Sequence, residues 1–225
     1  MLPSTIATTD YHTGGEPFRI VSDPPVPIPG ETVAERRARA IEDAEVQGMR
    51  AVLCSEPRGH ADMYGGFVVP PDDAGGDLGV LFWHKDGFST ACGHGTIALG
   101  VWAVETGRVA APATGSVDVV IDEPGRVRQR NVTVFADSEV DRSPCGSATS
   151  ARLAVLAAEG RLPAGAVLRH DSIVGSTFTG TVLDTVEVDG RAAVIPQVTG
   201  MAYRTGEHVF PIDPHDPLVP GFVLR

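Results

Sequence analysis

Two copies of one short unit occur in this chain, and they constrain its fold more than any other feature of the sequence. The segment 92–98 (CGHGTIA) matches the segment 145–151 (CGSATSA) in its Cys-Gly start, its Thr and its final Ala. An apolar run follows each segment, and each run stops at a Gly-Arg pair, at 107–108 and at 160–161. Each copy therefore predicts a loop, a Cys-Gly step and a buried helix that ends at glycine.

The fold class follows from what must surround these two helices. A helix that is apolar nearly all round must be covered, and predicted strands outnumber predicted helices in the rest of the chain. We therefore predict an α+β protein with two related lobes, in which each lobe wraps a sheet around one central helix. The N-terminal lobe is expected to span residues 1–125 with Cys92, and the C-terminal lobe residues 126–225 with Cys145.

Outside the repeat, the clearest local signal is a capping box, Thr-Val-Ala-Glu, that begins at Thr32. It predicts a helix over about 33–47, and the apolar run 50–54 after it predicts a short strand. Cys54 ends that run and is expected to be a core residue. Lys85, the only lysine in the chain, is expected to lie in a solvated turn.

Charge and cysteine content limit the partners and the compartment. The chain has 18 basic and 29 acidic residues, so its formal net charge is −11. This balance argues against nucleic acid and anionic membrane as partners, because both would repel the protein, and a small-molecule ligand is expected. The three cysteines form no secreted framework, and the N-terminus has no basic-then-apolar leader. We therefore expect reduced thiols in a cytoplasmic protein.

The repeated cysteine is the candidate catalytic group. A thiol just before a helix N-terminus faces the positive end of the helix dipole and unpaired N–H groups, which favour the thiolate. Gly93 and Gly146 leave room for a carboxylate to approach those N–H groups. Two such copies facing each other would hold one small carboxylate between two thiols, with a thiolate base on one face of the α-carbon and a thiol acid on the other. This pattern predicts racemisation or epimerisation without a cofactor.

Two other interpretations of these residues stay open. A single cysteine at the start of an apolar helix is commonly a small core residue. A metal site would take its ligands from Cys92 with His94, or from His60 with Asp62. Because the chain has no Cys-x-x-Cys or His-x-x-x-His pair, the zinc pattern is weak, and we expect no metal.

Four motifs, in order along the chain, resemble the proline racemase family: 10–17 (DYHTGGEP), 56–65 (EPRGHADMYG), 92–95 (CGHG) and 141–146 (DRSPCG). The tail that begins at Ser172 is similar too, so the resemblance covers nearly the whole chain. It implies a diaminopimelate-epimerase-like fold of two pseudo-symmetric lobes, a homodimer and no cofactor. It also implies that the substrate is proline or a hydroxyproline.

The resemblance assigns roles to particular residues. By this match Cys92 and Cys145 are the two acid/base residues. The residues that bind the substrate carboxylate are Gly93, His94, Gly146 and Ser147. His94 with Asp141 faces the ring nitrogen of the substrate. Only a structural or supporting role is expected for His12, His60 and Asp62.

The reaction branch is a separate question within the family. Cysteine at both positions is typical of racemases and 4-hydroxyproline 2-epimerases, whereas trans-3-hydroxy-L-proline dehydratases usually have Thr at the second. Cys145 therefore favours epimerisation. The stretches 12–17 and 87–90 resemble the dehydratase branch, in which removal of the α-proton is followed by loss of a β-hydroxyl. Dehydration is therefore retained as the alternative.

The chain is also shorter than members of the family. Residues 121–127 resemble the end of the family's first lobe, and residues 130–135 resemble a strand close to the second cysteine. The resemblance therefore predicts that a central segment of several strands is missing. An inactive or ligand-binding relic is a further alternative, from a non-enzyme class.

Overall fold

The computed structural model describes residues 2–74, 76–109, 127–135, 139–162 and 165–223, which form two sheets and a separate strand pair. The first sheet has six strands, in the order β12 (Ala202–Pro211), β1 (Thr5–Thr13), β2 (Glu16–Val21), β3 (Tyr64–Val69), β4 (Gly79–His84) and β5 (Gly87–Phe88). The second sheet has four, in the order β11 (Arg191–Thr199), β10 (Thr177–Val188), β9 (Leu168–Asp171) and β6 (Val127–Arg130). The separate pair is β7 (Thr133–Phe135) and β8 (Glu139–Asp141).

Four helices lie in the same described ranges: α1 (Val33–Glu42), α2 (Ala44–Cys54), α3 (Gly93–Glu105) and α4 (Gly146–Ala158). α3 packs against the first sheet, on β12, β1, β2 and β3, and α4 packs against β10 and β11 of the second sheet. This arrangement agrees with the predicted α+β class and with one central helix for each sheet. In the described part of the chain, no helix is long and apolar enough to cross a membrane.

The two repeated helices begin and end alike. Their N-caps are the two repeated cysteines, Cys92 and Cys145, and neither side chain caps its own helix. Gly107 and Gly160 follow the helices with φ of 70° and 66°, the left-handed conformation that glycine adopts without strain. After each glycine, the next N–H donates to a carbonyl five residues earlier. The repeat therefore encodes both ends of each helix.

The two lobes are unequal. Six residues of α3 are buried but only three of α4, and the core beside α4 consists of Leu153, Leu156, Leu162 and Leu168. In the described residues the second sheet has four strands where the first has six, and fewer residues of its helix are buried. The prediction that each apolar helix is surrounded therefore holds more fully for α3 than for α4.

The last long strand returns to the first sheet. β12 pairs antiparallel with β1, with Thr5 opposite Pro211 and Thr13 opposite Ala202. The first sheet therefore contains residues from both sides of the predicted lobe boundary between residues 125 and 126. That boundary itself lies outside the described residues.

The predicted capping box is present at the start of α1. The hydroxyl of Thr32 accepts a hydrogen bond of 3.1 Å from the N–H of Glu35. The helix ends earlier than expected, because the carboxylate of Asp43 caps a second helix by accepting from the N–H groups of Glu45 and Val46. Two capped helices therefore replace the one predicted.

The predicted strand at 50–54 is wrong, since these residues form the last turns of α2. Val46, Met49 and Leu53 are all buried, and their spacing places them on one face of a helix. That face extends back before residue 50, so the apolar run is one part of a helical pattern. Cys54 is fully buried in this core, as expected.

Candidate active site

The N-termini of α3 and α4 meet where the two lobes touch. A Cβ added to Gly93 would lie 2.7 Å from the Cα of Gly146, and one added to Gly146 would lie 2.8 Å from the Cα of Gly93. Real Cβ atoms do not approach other atoms so closely, so only glycine allows the two backbones to pack in this way. The repeated glycine therefore brings the two Cys-Gly steps, at Cys92 and Cys145, to one place.

The backbone of Cys145 is unusual, whereas that of Cys92 is ordinary extended chain. Cys145 has φ of 63°, a region that residues with a Cβ seldom occupy, and such outliers persist only where neighbouring contacts hold them. The N–H of Cys145 donates to the hydroxyl of Ser143 at 3.0 Å. That hydroxyl and the N–H of Ser143 both donate to Oδ1 of Asp141, at 2.7 and 2.8 Å. Asp141, predicted to face the substrate, therefore also holds the loop before Cys145.

His94 lies beside the first thiol. The Sγ of Cys92 is 3.5 Å from Nδ1 and 3.6 Å from Nε2 of His94. Burial lowers the pKa of His94 to about 4, although the negative charge of Asp141 and a hydrogen bond to the carbonyl of Pro17 act in the opposite direction. The imidazole is therefore neutral at neutral pH, with one nitrogen able to donate and one able to accept.

The two thiols are less acidic than the sequence predicts. Burial raises the pKa of both Cys92 and Cys145, and the charge of Asp141 raises both further. The N–H groups of Gly95 and Ala148, in the first turns of the helices, lower the two pKa values. The helix N-termini therefore act in the expected direction, but desolvation outweighs them. Both cysteines are thiols at neutral pH in the chain without a substrate.

Two aromatic residues with no predicted role, Tyr64 and Phe135, extend from His94 as a chain of ring contacts. The ring of Tyr64, at the start of β3, is 5.3 Å from the ring of His94 and 6.1 Å from the ring of Phe135 on β7. Burial raises the pKa of Tyr64 to about 12, so its hydroxyl stays protonated. Tyr64 belongs to the family motif at 56–65, so the sequence did contain a signal that it lies near the site. Phe135 is distant in sequence and becomes adjacent only when the lobes meet.

A cavity of about 620 Å³ opens at the two helix N-termini. Its lining includes four of the seven predicted site residues: Cys92, Gly93, Gly146 and Ser147. Apolar walls come from both lobes, with Phe82 and Ile97 on one side and Pro196 and Val198 on the other. The other three predicted site residues do not line this cavity. His94 and Asp141 are buried, and Cys145 is half-buried.

Lys85 lies in the turn between β4 and β5, as expected, but its side chain is not solvated, so that part of the expectation is wrong. Its side chain is 8% exposed, and its Nζ lies 3.0 Å from Oε1 of Glu139 and 2.8 Å from Oδ1 of Asp86. These two carboxylates and His84 are the one group of three potential metal ligands among the described residues. The ammonium group of Lys85 already supplies a positive charge to the two carboxylates of this group. The pair with Glu139 also joins the first lobe to β8, the strand that ends at Asp141.

The chain is similar to proteins of one known family along most of its length. The family model described as proline racemase matches residues 8–129 and 122–223. A trans-3-hydroxy-L-proline dehydratase of Bacillus cereus is 33% identical over 335 positions, covering 100% of both chains. A 3-hydroxyproline 2-epimerase of Burkholderia multivorans is 32% identical over 332 positions, covering 98% of each. A proline racemase of Acetoanaerobium sticklandii is 29% identical, covering 97% of this chain and 98% of its own.

Two solved structures share the fold. A probable proline racemase from Agrobacterium radiobacter K84, with bound carbonate, has a TM-score of 0.84 and 22% identity, and covers 97% of this chain and 96% of its own. A hydroxyproline epimerase from Agrobacterium vitis, with bound trans-4-hydroxy-L-proline, has a TM-score of 0.83 and 21% identity, with coverages of 98% and 96%. The predicted diaminopimelate-epimerase-like fold of two pseudo-symmetric lobes is confirmed at this level.

The same comparisons confirm the missing segment. Alignments of more than 330 positions exceed the 225 residues of this chain, so the relatives contain a stretch with no counterpart here. The two matched stretches of the family model meet at residues 122–129, the junction that the sequence predicted. Most of this junction lies outside the described residues.

Proposed function

This chain belongs to the proline racemase family, and from that premise we propose that it catalyses cofactor-independent proton transfer at the α-carbon of proline or a hydroxyproline. The observation that carries the proposal is the contact between Gly93 and Gly146, which sets two cysteine N-caps at one site. A cysteine that served only as a buried core residue would not require a second helix N-terminus beside it. In this proposal Cys92 and Cys145 are the acid/base pair.

The substrate carboxylate would bind at the paired helix N-termini. The residues proposed to offer it their N–H groups are Gly93, His94, Gly146 and Ser147. Backbone donors at a helix N-terminus suit an anion, and the two dipoles add to their effect. They would also stabilise the extra negative charge that the carboxylate gains when the α-proton leaves. Donors placed at the atoms on which charge develops in the transition state contribute strongly to catalysis.

The proton transfer balances between the two sulfurs. One cysteine, as thiolate, takes the α-proton, and the electron pair of the C–H bond moves into the carboxylate. The other cysteine, as thiol, then gives its proton to the α-carbon from the opposite face. The configuration is inverted, and the two cysteines have exchanged their protonation states. The pair titrates as one coupled system, so neither thiol has a pKa of its own during turnover.

In this proposal, substrate binding produces the thiolate that the unliganded site lacks. Burial and Asp141 keep both thiols protonated. The cationic ring nitrogen of a proline, placed beside Asp141 and His94, would offset the negative charge of Asp141 and lower the pKa of the nearby thiols. We therefore expect the reactive thiolate to form mainly in the substrate complex.

Dehydration of trans-3-hydroxy-L-proline is the second candidate. Relatives named for dehydration and for epimerisation are about equally similar to this chain, at 33% and 32% identity. In dehydration one thiolate takes the α-proton, the double bond forms as the C–O bond breaks, and the thiol so formed can give its proton to the departing hydroxyl, which leaves as water; a second acid on the opposite face is then not needed. The presence of Cys145 favours inversion. The family resemblance also supports a homodimer, which light scattering of the purified chain would test.

The deciding experiment uses deuterated water. L-Proline, trans-4-hydroxy-L-proline and trans-3-hydroxy-L-proline are incubated with the protein in turn, and the α-proton and products are followed by NMR. Deuterium at an inverted α-carbon supports the epimerase, and an unsaturated ring product identifies the dehydratase. A folded protein that exchanges the α-proton of none of the three would overturn the proposal and favour a ligand-binding relic.

A further inference from the structure

The turn between β1 and β2 lies against the second lobe. The carbonyl of Gly14 accepts a hydrogen bond of 2.5 Å from the hydroxyl of Ser176. A Cβ on Gly14 would lie 3.2 Å from the Cβ of Ser143, and one on Gly15 would lie 3.0 Å from Val174. Both glycines also have positive φ. The Gly-Gly turn therefore serves as a close contact between lobes, beside the loop that leads to Cys145.

Glu16, the first residue of β2, continues this contact. Its side chain is fully buried, and its Oε2 accepts a hydrogen bond of 2.8 Å from the backbone N–H of Arg142. The guanidinium of Arg142 also donates to the same oxygen at 3.2 Å, and to Oδ2 of Asp62 at 3.0 Å. Two carboxylates of the first lobe thus hold one arginine of the second.

A short path connects this contact to the second thiol. Arg142 lies between Asp141 and Ser143, and its N–H belongs to the peptide that follows Asp141. Asp141 binds Ser143, and Ser143 accepts the N–H of Cys145. At the other end of the same segment, Glu139 is paired with Lys85 of the first lobe. The segment 139–145 is therefore held on the first lobe at two points.

We propose that Glu16 is a positioning residue, which fixes the peptide of Arg142 and thereby the loop that sets Cys145 opposite Cys92. The positive φ of Cys145 needs such support, because sparsely populated backbone conformations persist only where their surroundings determine them. Glu16 touches no reacting atom in this role. The inference rests on the proposed function of Cys145 as an acid/base group.

A plain structural ion pair would have a different signature. Its loss would lower stability without a specific effect on one thiol. A purely electrostatic role would respond to charge alone and not to reach. Three substitutions separate these cases: Glu16→Ala removes the acceptor, Glu16→Asp keeps the carboxyl group but shortens the reach, and Glu16→Gln keeps an acceptor oxygen at full reach. Because burial raises the pKa of Glu16 to about 8, neutral glutamine is a close match at neutral pH.

The readout is the rate at which iodoacetamide alkylates Cys145 in the folded, unliganded protein, measured by peptide mass spectrometry. The matched control is Glu159→Gln, which removes an exposed carboxylate after α4. We expect Glu16→Ala and Glu16→Asp to change the Cys145 rate by about threefold or more, because a displaced loop alters both exposure and thiolate fraction. Glu16→Gln should stay near the wild-type rate, as should the control.

Two results would overturn the inference: Cys145 rates in Glu16→Asp that equal those of the wild type, or equal changes in Glu16→Asp and Glu16→Gln. If Glu16→Ala does not fold, Glu16→Asp decides alone. With a substrate that the wild type turns over, Glu16→Asp should lower kcat by about 10- to 100-fold and leave KM nearly unchanged, since misplaced reacting groups slow chemistry. If the wild type turns over none, the proposed function fails while the alkylation rates still test the positioning.

Discussion

At the residue scale, the two repeated cysteines have unequal surroundings. Cys92 is buried beside the neutral ring of His94, with extended backbone. Cys145 is half-buried and has positive φ, and a hydrogen bond from the hydroxyl of Thr133 offsets part of the rise in its pKa that burial causes. A two-base mechanism needs two thiols on opposite faces of the substrate but does not need them to be identical. Substitution of one cysteine at a time therefore tests the role of each.

Alanine at each cysteine gives a matched set of three variants. Cys92→Ala and Cys145→Ala should each lower the rate of inversion by about 10³-fold, a typical contribution of a general acid or base. Cys54→Ala is the control, because Cys54 ends α2 and is buried in a different core cluster from Cys92. NMR of the inverted product measures the rate of inversion for each of the three variants. Inversion that survives in either active-site variant would contradict the two-thiol mechanism.

The raised thiol pKa values predict a pH dependence. A group with a raised pKa stays protonated to higher pH, so the thiolate form is lost as pH falls and gained as pH rises. We expect kcat/KM for inversion to increase with pH from about 7 to 9, roughly tenfold per pH unit where one ionisation controls the free enzyme. A flat profile over this range, at constant protein stability, would show that the thiols ionise without the barrier that burial imposes.

At the element scale, the contact between α3 and α4 depends on two glycines. Gly93→Ala would place a Cβ 2.7 Å from the Cα of Gly146, and backbone atoms on both sides cannot move aside as a flexible side chain would. We expect a loss of about 1–3 kcal/mol in the free energy of unfolding. We also expect a fall in inversion rate of at least about 10²-fold, because the two thiols move apart.

The control for this variant is on the same helix. Gly100 is exposed in α3, and a Cβ added there meets no atom within 4 Å. Gly100→Ala should therefore raise the free energy of unfolding by roughly 0.5–1 kcal/mol, since alanine favours a helix more than glycine does. Chemical denaturation measures both variants. A Gly93→Ala protein as stable and active as Gly100→Ala would refute the close contact.

At the scale of the whole molecule, the described residues give the second lobe a smaller sheet than the first. Its sheet has four strands, and its core cluster consists of four leucines beside α4. The contacts between lobes include the pairs Lys85 with Glu139 and Glu16 with Arg142. The fold is nevertheless that of larger relatives, with the two cysteine-capped helices meeting at the centre.

This asymmetry predicts unequal local stability. Regions with few buried apolar contacts open at lower free energy than well-covered ones. Amide hydrogens of α4 should therefore exchange with solvent at least about tenfold faster than those of α3, an internal reference of equal length. Hydrogen exchange followed by mass spectrometry compares the two helices in one sample. Equal protection would mean that the second lobe is as well covered as the first.

The sequence by itself determined the features that depend on short stretches of chain. The repeat located both central helices, their cysteine N-caps and their glycine ends, and the capping box located the start of α1. These features depend on hydrogen bonds and spacing within a few residues. The sequence missed α2 because its apolar run, taken alone, has no period long enough to distinguish a strand from a helix.

The tertiary structure decided what depends on residues far apart in the chain. The contact between Gly93 and Gly146, the burial of Lys85 against Glu139, and the ring contacts of Tyr64 with His94 and with Phe135 all join distant segments. The tertiary structure also determines the pKa of each thiol. A helix N-terminus is a local property, as is the position of Asp141 near Cys145, but desolvation of both sulfur atoms and the effect of Asp141 on Cys92 require the two lobes to pack together.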